Sequence, residues 1–399
     1  MADAPRLLFH VQHLLGVGHR NRAWRIAEAC RQQGFAVEMT VGEEEPVQPG
    51  IEPLRLPTIR SADAGFSALV DAAGEPVGAA LWDERARRLT AAVGTRPPGL
   101  LLVEGYPFAR RKFEDEIEPL IAAARAAGAA IVCSLRDILV AKPDPGRNAA
   151  TAFKAAGLYD RILVHGDPEF VPLSTSFPPA ESIAERLAYT GYVAPAQGPR
   201  PAGQTPGPRG ADAPILVSVG GGAVGARLLE AALDAREGGV EADRPWRLLG
   251  GPNLEAAARG PLEQRAEALP GVTLEPALDG PAFRAALAEA ALSVSQAGYN
   301  TVVDLWMTRP RAVLVPFQGP TGKESEQPLR AELLAVRGEA VVCPEAGLDG
   351  AALGAAIREA LSMPDPADPA GEAAPPPDLG GAPESARQLA ALAGQPGLG

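Results

Sequence analysis

Residues 292–327, LSVSQAGYNTVVDLWMTRPRAVLVPFQGPTGKESEQ, constrain the chain more than any other stretch. An apolar run at 292–294 leads into a small turn at 295–298, and residues 299–307 carry a helical pattern. A second apolar run, 312–315, ends at Pro316 and Phe317, and a polar loop closes with Glu326 and Gln327. Strand, turn, helix, strand is the unit from which parallel α/β sheets are built. A strand that passes through a glycine turn into a helix presents backbone N–H groups and the positive end of the helix dipole at one edge. That edge favours an anion, most often a phosphate. Asp304 lies further along the same helix, where a carboxylate can accept two hydrogen bonds from a ribose diol. The same residues also suit an ordinary crossover unit with a solvated acid.

The chain opens on the same grammar. Residues 7–11 are an apolar strand, HLLGVGH (13–19) is a loop, and a helix is expected over 21–33. Ala23, Ile26, Ala27 and Cys30 share one helix face, and a further strand covers 35–41. Gly16 and Gly18 let the backbone approach a ligand at the mouth of the first strand, and His19 follows them. An imidazole titrates near neutrality, so His19 is a candidate general base; the bland alternative is a loop-packing histidine. His10, within the strand, reads as structural, and His13 as a loop residue.

Further strands at 100–103, 130–134 and 161–164 each end in a polar cluster. In open α/β sheets the carboxyl ends of the strands are where ligands bind. Glu104, Tyr106, Arg136 and Asp137 would therefore converge on one cleft. An internal Arg136–Asp137 pair that orders the loop is the competing reading. Arg110, Arg111 and Lys112 form a basic helix start, suited to an acceptor phosphate, a lipid headgroup or plain solvent. His165 to Asp167 reads as peripheral.

Residues 194–214 are dense in Pro, Gly and Ala and cannot build a core, so they read as a hinge. A strand over 215–219, the loop GGGAVG (220–225) and a helix follow, again an anion site at Gly220, Gly221 and Gly222. The loop has no Gly-Lys-Ser/Thr and no full Gly-x-Gly-x-x-Gly, which disfavours a kinase or a dehydrogenase. The expected organisation is a first α/β domain at 1–193, the linker at 194–214, a second α/β domain at 215–363, and a low-complexity tail at 364–399. A terminal helix is expected over 383–393.

A net charge of −12 argues against a general nucleic-acid binder, which needs a basic surface. Cys30, Cys133 and Cys343 are far apart in apolar contexts and read as buried free thiols of a cytosolic protein. No Cys/His cluster and no Asp-x-Asp at a strand end suggests a metal. The start of the chain reads as a strand rather than a signal peptide. The alanine-rich segment at 121–135 is too short and broken to span a bilayer.

In order and spacing, Gly298, Thr301, Asp304, Pro316–Phe317 and Glu326–Gln327 resemble the donor half of GT-B glycosyltransferases, nearest to the MurG-like group. The chain has Asp where that group normally has Glu, and a loop a few residues longer before Glu326. The resemblance implies two Rossmann-like domains facing across a cleft. It implies a metal-independent, cofactor-free transfer of a sugar from a nucleotide diphosphate sugar, UDP-linked in the first instance, to a hydroxyl acceptor. Gly220–Gly222, Gly298, Asn300 and Thr301 would take the pyrophosphate, Asp304 the ribose, Leu278 the base, and Glu326 and Gln327 the sugar hydroxyls. Gly16, Gly18, Glu104, Tyr106, Arg136 and Asp137 would face the acceptor, a small molecule, a glycan or a lipid-linked alcohol. A cytoplasmic location is implied, with room for peripheral contact at the inner face of the membrane. The Gly-x-Gly-His form also resembles UDP-sugar hydrolases of pseudaminic acid synthesis, where the histidine is catalytic. A nucleotide-sugar hydrolase or epimerase is therefore the first alternative, and a non-catalytic nucleotide-sugar-binding protein the second.

Overall fold

The central strands of the two large sheets are short, apolar and buried because both faces of those sheets are covered, as parallel sheets require. The computed structural model describes residues 4–12, 18–62, 68–142, 144–196, 209–210, 212–220, 225–251, 254, 256–319, 322, 324–367 and 374–394. The chain divides into two units, 1–196 with 377–399, and 197–376.

The first unit runs β1 (Arg6–His10), α1 (Gly18–Gln32), β2 (Ala36–Gly42), β3 (Glu52–Leu56), a small hairpin of β4 (Arg60–Ser61) and β5 (Leu69–Val70), and α2 (Ala79–Thr95). It continues with β6 (Leu100–Glu104), α3 (Glu114–Ala126), β7 (Ala130–Arg136), α4 (Pro145–Leu158), β8 (Arg161–His165) and β9 (Leu187–Tyr189). Its sheet is parallel, in the order β3-β2-β1-β6-β7-β8-β9. Alternation decides which side chain faces which layer. Leu8, Leu101, Val103, Ile131 and Cys133 pack with α2 and α3 on one face. Leu7, Phe9, Leu100, Leu102 and Val132 pack with α1 on the other.

The second unit runs β10 (Ile215–Ser218), α5 (Ala226–Glu237), β11 (Trp246–Gly250), α6 (Ala256–Ala268), β12 (Val272–Pro276), α7 (Gly280–Glu289), β13 (Leu292–Ser295) and α8 (Tyr299–Thr308). β14 (Arg311–Leu314), α9 (Glu326–Val336), β15 (Val341–Val342) and α10 (Gly350–Ser362) complete it. Its parallel sheet has the order β12-β11-β10-β13-β14-β15. In each sheet the order reverses beside the first strand, which creates a crevice at the carboxyl edge there.

The Pro/Gly-rich segment enters the second unit before residue 215. The Arg209 guanidinium donates to the carbonyls of Ala288 (3.2 Å), Thr308 (2.9 Å) and Arg309 (3.0 Å) and to Asp365 (2.7 Å). It thereby serves carbonyls that helix ends leave without intrahelical donors. The tail is shared: residues up to 376 belong to the second unit, and α11 (Gly381–Leu392) packs against α1 in the first. Ala382, Ala386, Leu389 and Ala390 of α11 join the core under α1. The return depends on a close backbone approach. Gly381 donates to the Tyr192 carbonyl (2.9 Å), and a Cβ at Gly381 would run into the Gly191 carbonyl oxygen. Gly381→Ala is therefore expected to destabilise the first unit by about 1–3 kcal/mol, read as a lower denaturant midpoint.

Among the described residues no helix is long and apolar enough to cross a membrane.

Candidate functional site

In the first unit the site grows from the crevice beside β1. Helix α1 starts at Gly18, so His19 sits in its first turn, at the amino end. β6 ends in Glu104, whose carboxylate is buried. Pairing of β1 with β6 brings the two together: His19 Nδ1 lies 2.8 Å from Glu104 Oε1. Arg22, one turn further along α1, donates to the same oxygen at 2.5 Å and lies 3.3 Å from His19 Nδ1.

The protonation states follow from these neighbours. Burial opposes the charge on Glu104, but His19, Arg22 and Arg110 outweigh it and hold the carboxyl well below its usual range. Burial is the largest influence on His19 and pushes it down to about 3; Glu104 pulls the other way, and Arg110 and Arg22 add to the fall. The ring keeps 29% of its surface exposed, and at neutral pH the imidazole is uncharged. An ionised carboxylate can only accept, so Nδ1 carries the proton and Nε2 is left as the basic nitrogen.

Other predicted residues of this edge separate from His19. The Tyr106 hydroxyl donates to Glu118 on α3 at 2.6 Å. Asp137 is fully buried and accepts from the Tyr192 hydroxyl at 2.9 Å. Arg136 ends β7 two residues beyond Ser134, the register partner of Glu104, lies opposite His165 of β8, and keeps part of its surface exposed. His10 and His165 are buried in internal networks, with Gln12 and Glu116, and with Ser134 and Thr190. Gly16 and His13 lie outside the described residues.

In the second unit, Gly220 and the β13–α8 turn are neighbours: a Cβ at Gly220 would lie 3.3 Å from Gln296 Oε1. Gly221 and Gly222 lie outside the described residues. Gly298 is the N-cap of α8 and offers no side-chain cap, and the first intrahelical bond runs from the Val302 amide to the Gly298 carbonyl (3.0 Å). The amino end of α8, with Asn300 and Thr301 partly exposed in its first turn, therefore stands at the sheet's carboxyl edge. Asp304 is nearly buried and faces Arg284 of α7, with Arg284 Nη1 3.5 Å from Asp304 Oδ1. Leu278 is half-buried in the turn after β12, where Asp279 caps α7 through the Ala282 amide (2.8 Å).

Glu326 and Gln327 open α9. Gln327 Oε1 accepts from the Phe317 amide at 3.1 Å, which fixes the end of β14 against α9. Glu326 accepts from Arg330 at 3.0 Å, and Arg330, fully buried, also donates to the Ala297 carbonyl at 2.9 Å. Arg330 thus ties the turn before α8 to the helix that carries Glu326. Arg22, Arg284 and Arg330 have no forerunner in the sequence reading; the spacings His19/Arg22 and Glu326/Arg330, one helical turn each, were the available signal. A cavity in this unit, lined by Trp306, Arg309, Pro310 and Arg337, opens at the other end of α8, away from these residues. Among the described residues no three His, Cys, Asp or Glu side chains come together as a metal-ligand set.

Comparison with known proteins agrees with this picture. Residues 272–380 match the glycosyltransferase family 28 C-terminal domain. Over 106 residues the chain is 36% identical to the UDP-N-acetylglucosamine–N-acetylmuramyl-(pentapeptide) pyrophosphoryl-undecaprenol N-acetylglucosamine transferase of Anaeromyxobacter sp. strain Fw109-5; the match covers 27% of this chain and about a quarter, 26%, of that protein. The crystal structure of MurG from Acinetobacter baumannii is similar with a TM-score of 0.55 at 16% identity, over 90% of this chain and 92% of that one. LpCGTa, solved in complex with UDP, is similar with a TM-score of 0.60 at 14% identity, over 98% of this chain and 99% of that one. The chain therefore carries a family 28 glycosyltransferase C-terminal domain on the GT-B fold.

Proposed function

We propose that this protein transfers a sugar from a UDP-sugar to a hydroxyl acceptor. The observation that carries the reading is that the family 28 match contains the segment whose helix amino end, Asp304 and Glu326–Gln327 gather around the carboxyl ends of β13 and β14. The amino end of α8 stabilises the diphosphate as it leaves, so the reaction needs no metal and survives EDTA. Asp304 accepts the ribose hydroxyls, replacing its contact with Arg284. In the first unit, His19 Nε2 takes the proton of the acceptor hydroxyl. The acceptor oxygen forms the new bond to the anomeric carbon, the bond from that carbon to the phosphate oxygen breaks, and UDP leaves with the electron pair. Glu104 fixes the tautomer and steadies the imidazolium that forms. We place the protein in the cytoplasm, with any membrane contact peripheral.

The test is product analysis with UDP-sugars, with and without a panel of hydroxyl acceptors. Acceptor-dependent release of UDP, with the acceptor gaining the mass of the sugar, is expected. Equal release of free sugar without any acceptor would make the protein a hydrolase. Tight UDP-sugar binding with no turnover would make it a binding protein.

A further inference from the structure

The cavity at the carboxyl end of α8 has no part in the proposed chemistry. It measures about 220 Å³, and the described residues that line it all belong to the second unit. Folded interiors are close-packed, and voids larger than a water molecule are few. A dry apolar cavity of about 150 Å³ holds a benzene ring, so this one has room for about two fused rings. Leu305 and Trp306 of α8, Leu334 of α9, and Pro364, Ala374 and Pro376 of the chain after α10 make its walls mainly apolar. Four charged side chains also line it among the described residues, and three of them are engaged. Glu339 accepts from the Trp306 indole (2.7 Å) and from Arg337 (2.6 Å). Arg337 donates further to the Pro375 carbonyl (2.7 Å). Asp365 accepts from Arg209 (2.7 Å) and faces Arg311 at 3.6 Å. The fourth is Arg309. No carboxylate among the described residues pairs with it, and its guanidinium reaches the Ala374 carbonyl only at 3.4 Å. Arg309 is also the C-cap of α8 in a left-handed backbone (φ 53°, ψ 48°), where glycine is the usual, unstrained residue. A strained backbone thus holds a guanidinium with no counter-ion beside an apolar cavity.

We propose that this cavity is an effector site for a small apolar carboxylate, up to about two fused rings in size, with the carboxylate on Arg309 and the rings against Leu305 and Trp306. A guanidinium takes a carboxylate through paired N–H donors, and the apolar walls take the rest. Leu305 and Trp306 directly follow Asp304 on α8, so the bound molecule bears on the helix that carries the proposed ribose acid. Coupling between two ligands is reciprocal, so each changes the other's affinity by the same factor. The effector role rests on the donor reading of α8; the site itself does not.

The test is calorimetric titration of the full-length protein with 2-naphthoate and with its neutral counterpart, 2-naphthamide. Saturable binding of naphthoate is expected, about tenfold or more tighter than that of naphthamide. Arg309→Gln should bring naphthoate down to the level of naphthamide. Ala312→Leu, which fills part of the cavity, should weaken both probes, and the melting temperature reports that each variant is folded. With naphthoate saturating, UDP affinity should change by about fivefold or more. If neither probe binds the wild type, or both variants bind naphthoate as the wild type does, the site is overturned. Equal affinity for the two probes would overturn its preference for a carboxylate, and an unchanged UDP affinity its effector role. Failure of UDP to bind the wild type would instead sink the transferase reading and leave the site standing.

Discussion

Replacing His19 by Ala is expected to lower acceptor-dependent turnover by about 10²- to 10⁴-fold while leaving UDP affinity unchanged, because only the proton transfer is lost. Glu104→Gln should also lose turnover, since an amide at 2.8 Å from Nδ1 can donate to the ring and favour the wrong tautomer. The pH profile separates this role from mere packing. His19 is held below its ordinary value of 6.5, so the base stays available in mild acid. The acid limb of kcat/KM should therefore lie well below 6.5. The sign for stability follows the same shift. A depressed histidine contributes stability that is present above 6.5 and is lost as pH falls below it, because the unfolded chain takes up the proton first. An acid limb centred at 6.5 or above would assign the base to another group.

The second large effect concerns Arg330. It is fully buried, holds Glu326 and the Ala297 carbonyl, and lies 6.0 Å from the centre of the Tyr299 ring. Removing one member of a buried pair strands the other, at a cost of about 3–5 kcal/mol. Arg330→Ala should lower the melting temperature by about 10 °C. It should also raise KM for the donor more than it lowers kcat, since the turn before α8 and the start of α9 lose their tie. An Arg330→Ala protein that melts with the wild type would show that the pair contributes nothing.

How much of this was legible in the sequence depends on the distance over which residues act. The helix α8 and its flanking strands follow from local pattern: apolar runs, one glycine turn, one helical stretch. Helices α4, α6 and α9 did not. α4 opens on Pro145–Gly146, α6 contains Gly260–Pro261, and α9 begins inside a polar loop with Pro328 in its first turn, so turn signals masked each of them. Glu104 and His19 were each singled out, yet their bond spans 85 residues and only the β1–β6 pairing creates it. Tyr106 looked like a strand-end polar residue, but its hydroxyl is taken by Glu118, because residues after a strand can turn back under the adjoining helix. Arg110 read as one of three cations at a helix start; its left-handed backbone folds it over the sheet edge instead, which no local rule foretells.

The central claim is that the second unit holds a uridine diphosphate by a helix amino end and a single acid. Calorimetric titration of the full-length protein with UDP in EDTA tests it most directly, run on the wild type, His19→Ala and Asp304→Ala. The account predicts saturable binding without metal, preserved in His19→Ala and weakened by about tenfold or more in Asp304→Ala as two ribose hydrogen bonds are lost. No binding in EDTA, or equal affinity in Asp304→Ala, would contradict it.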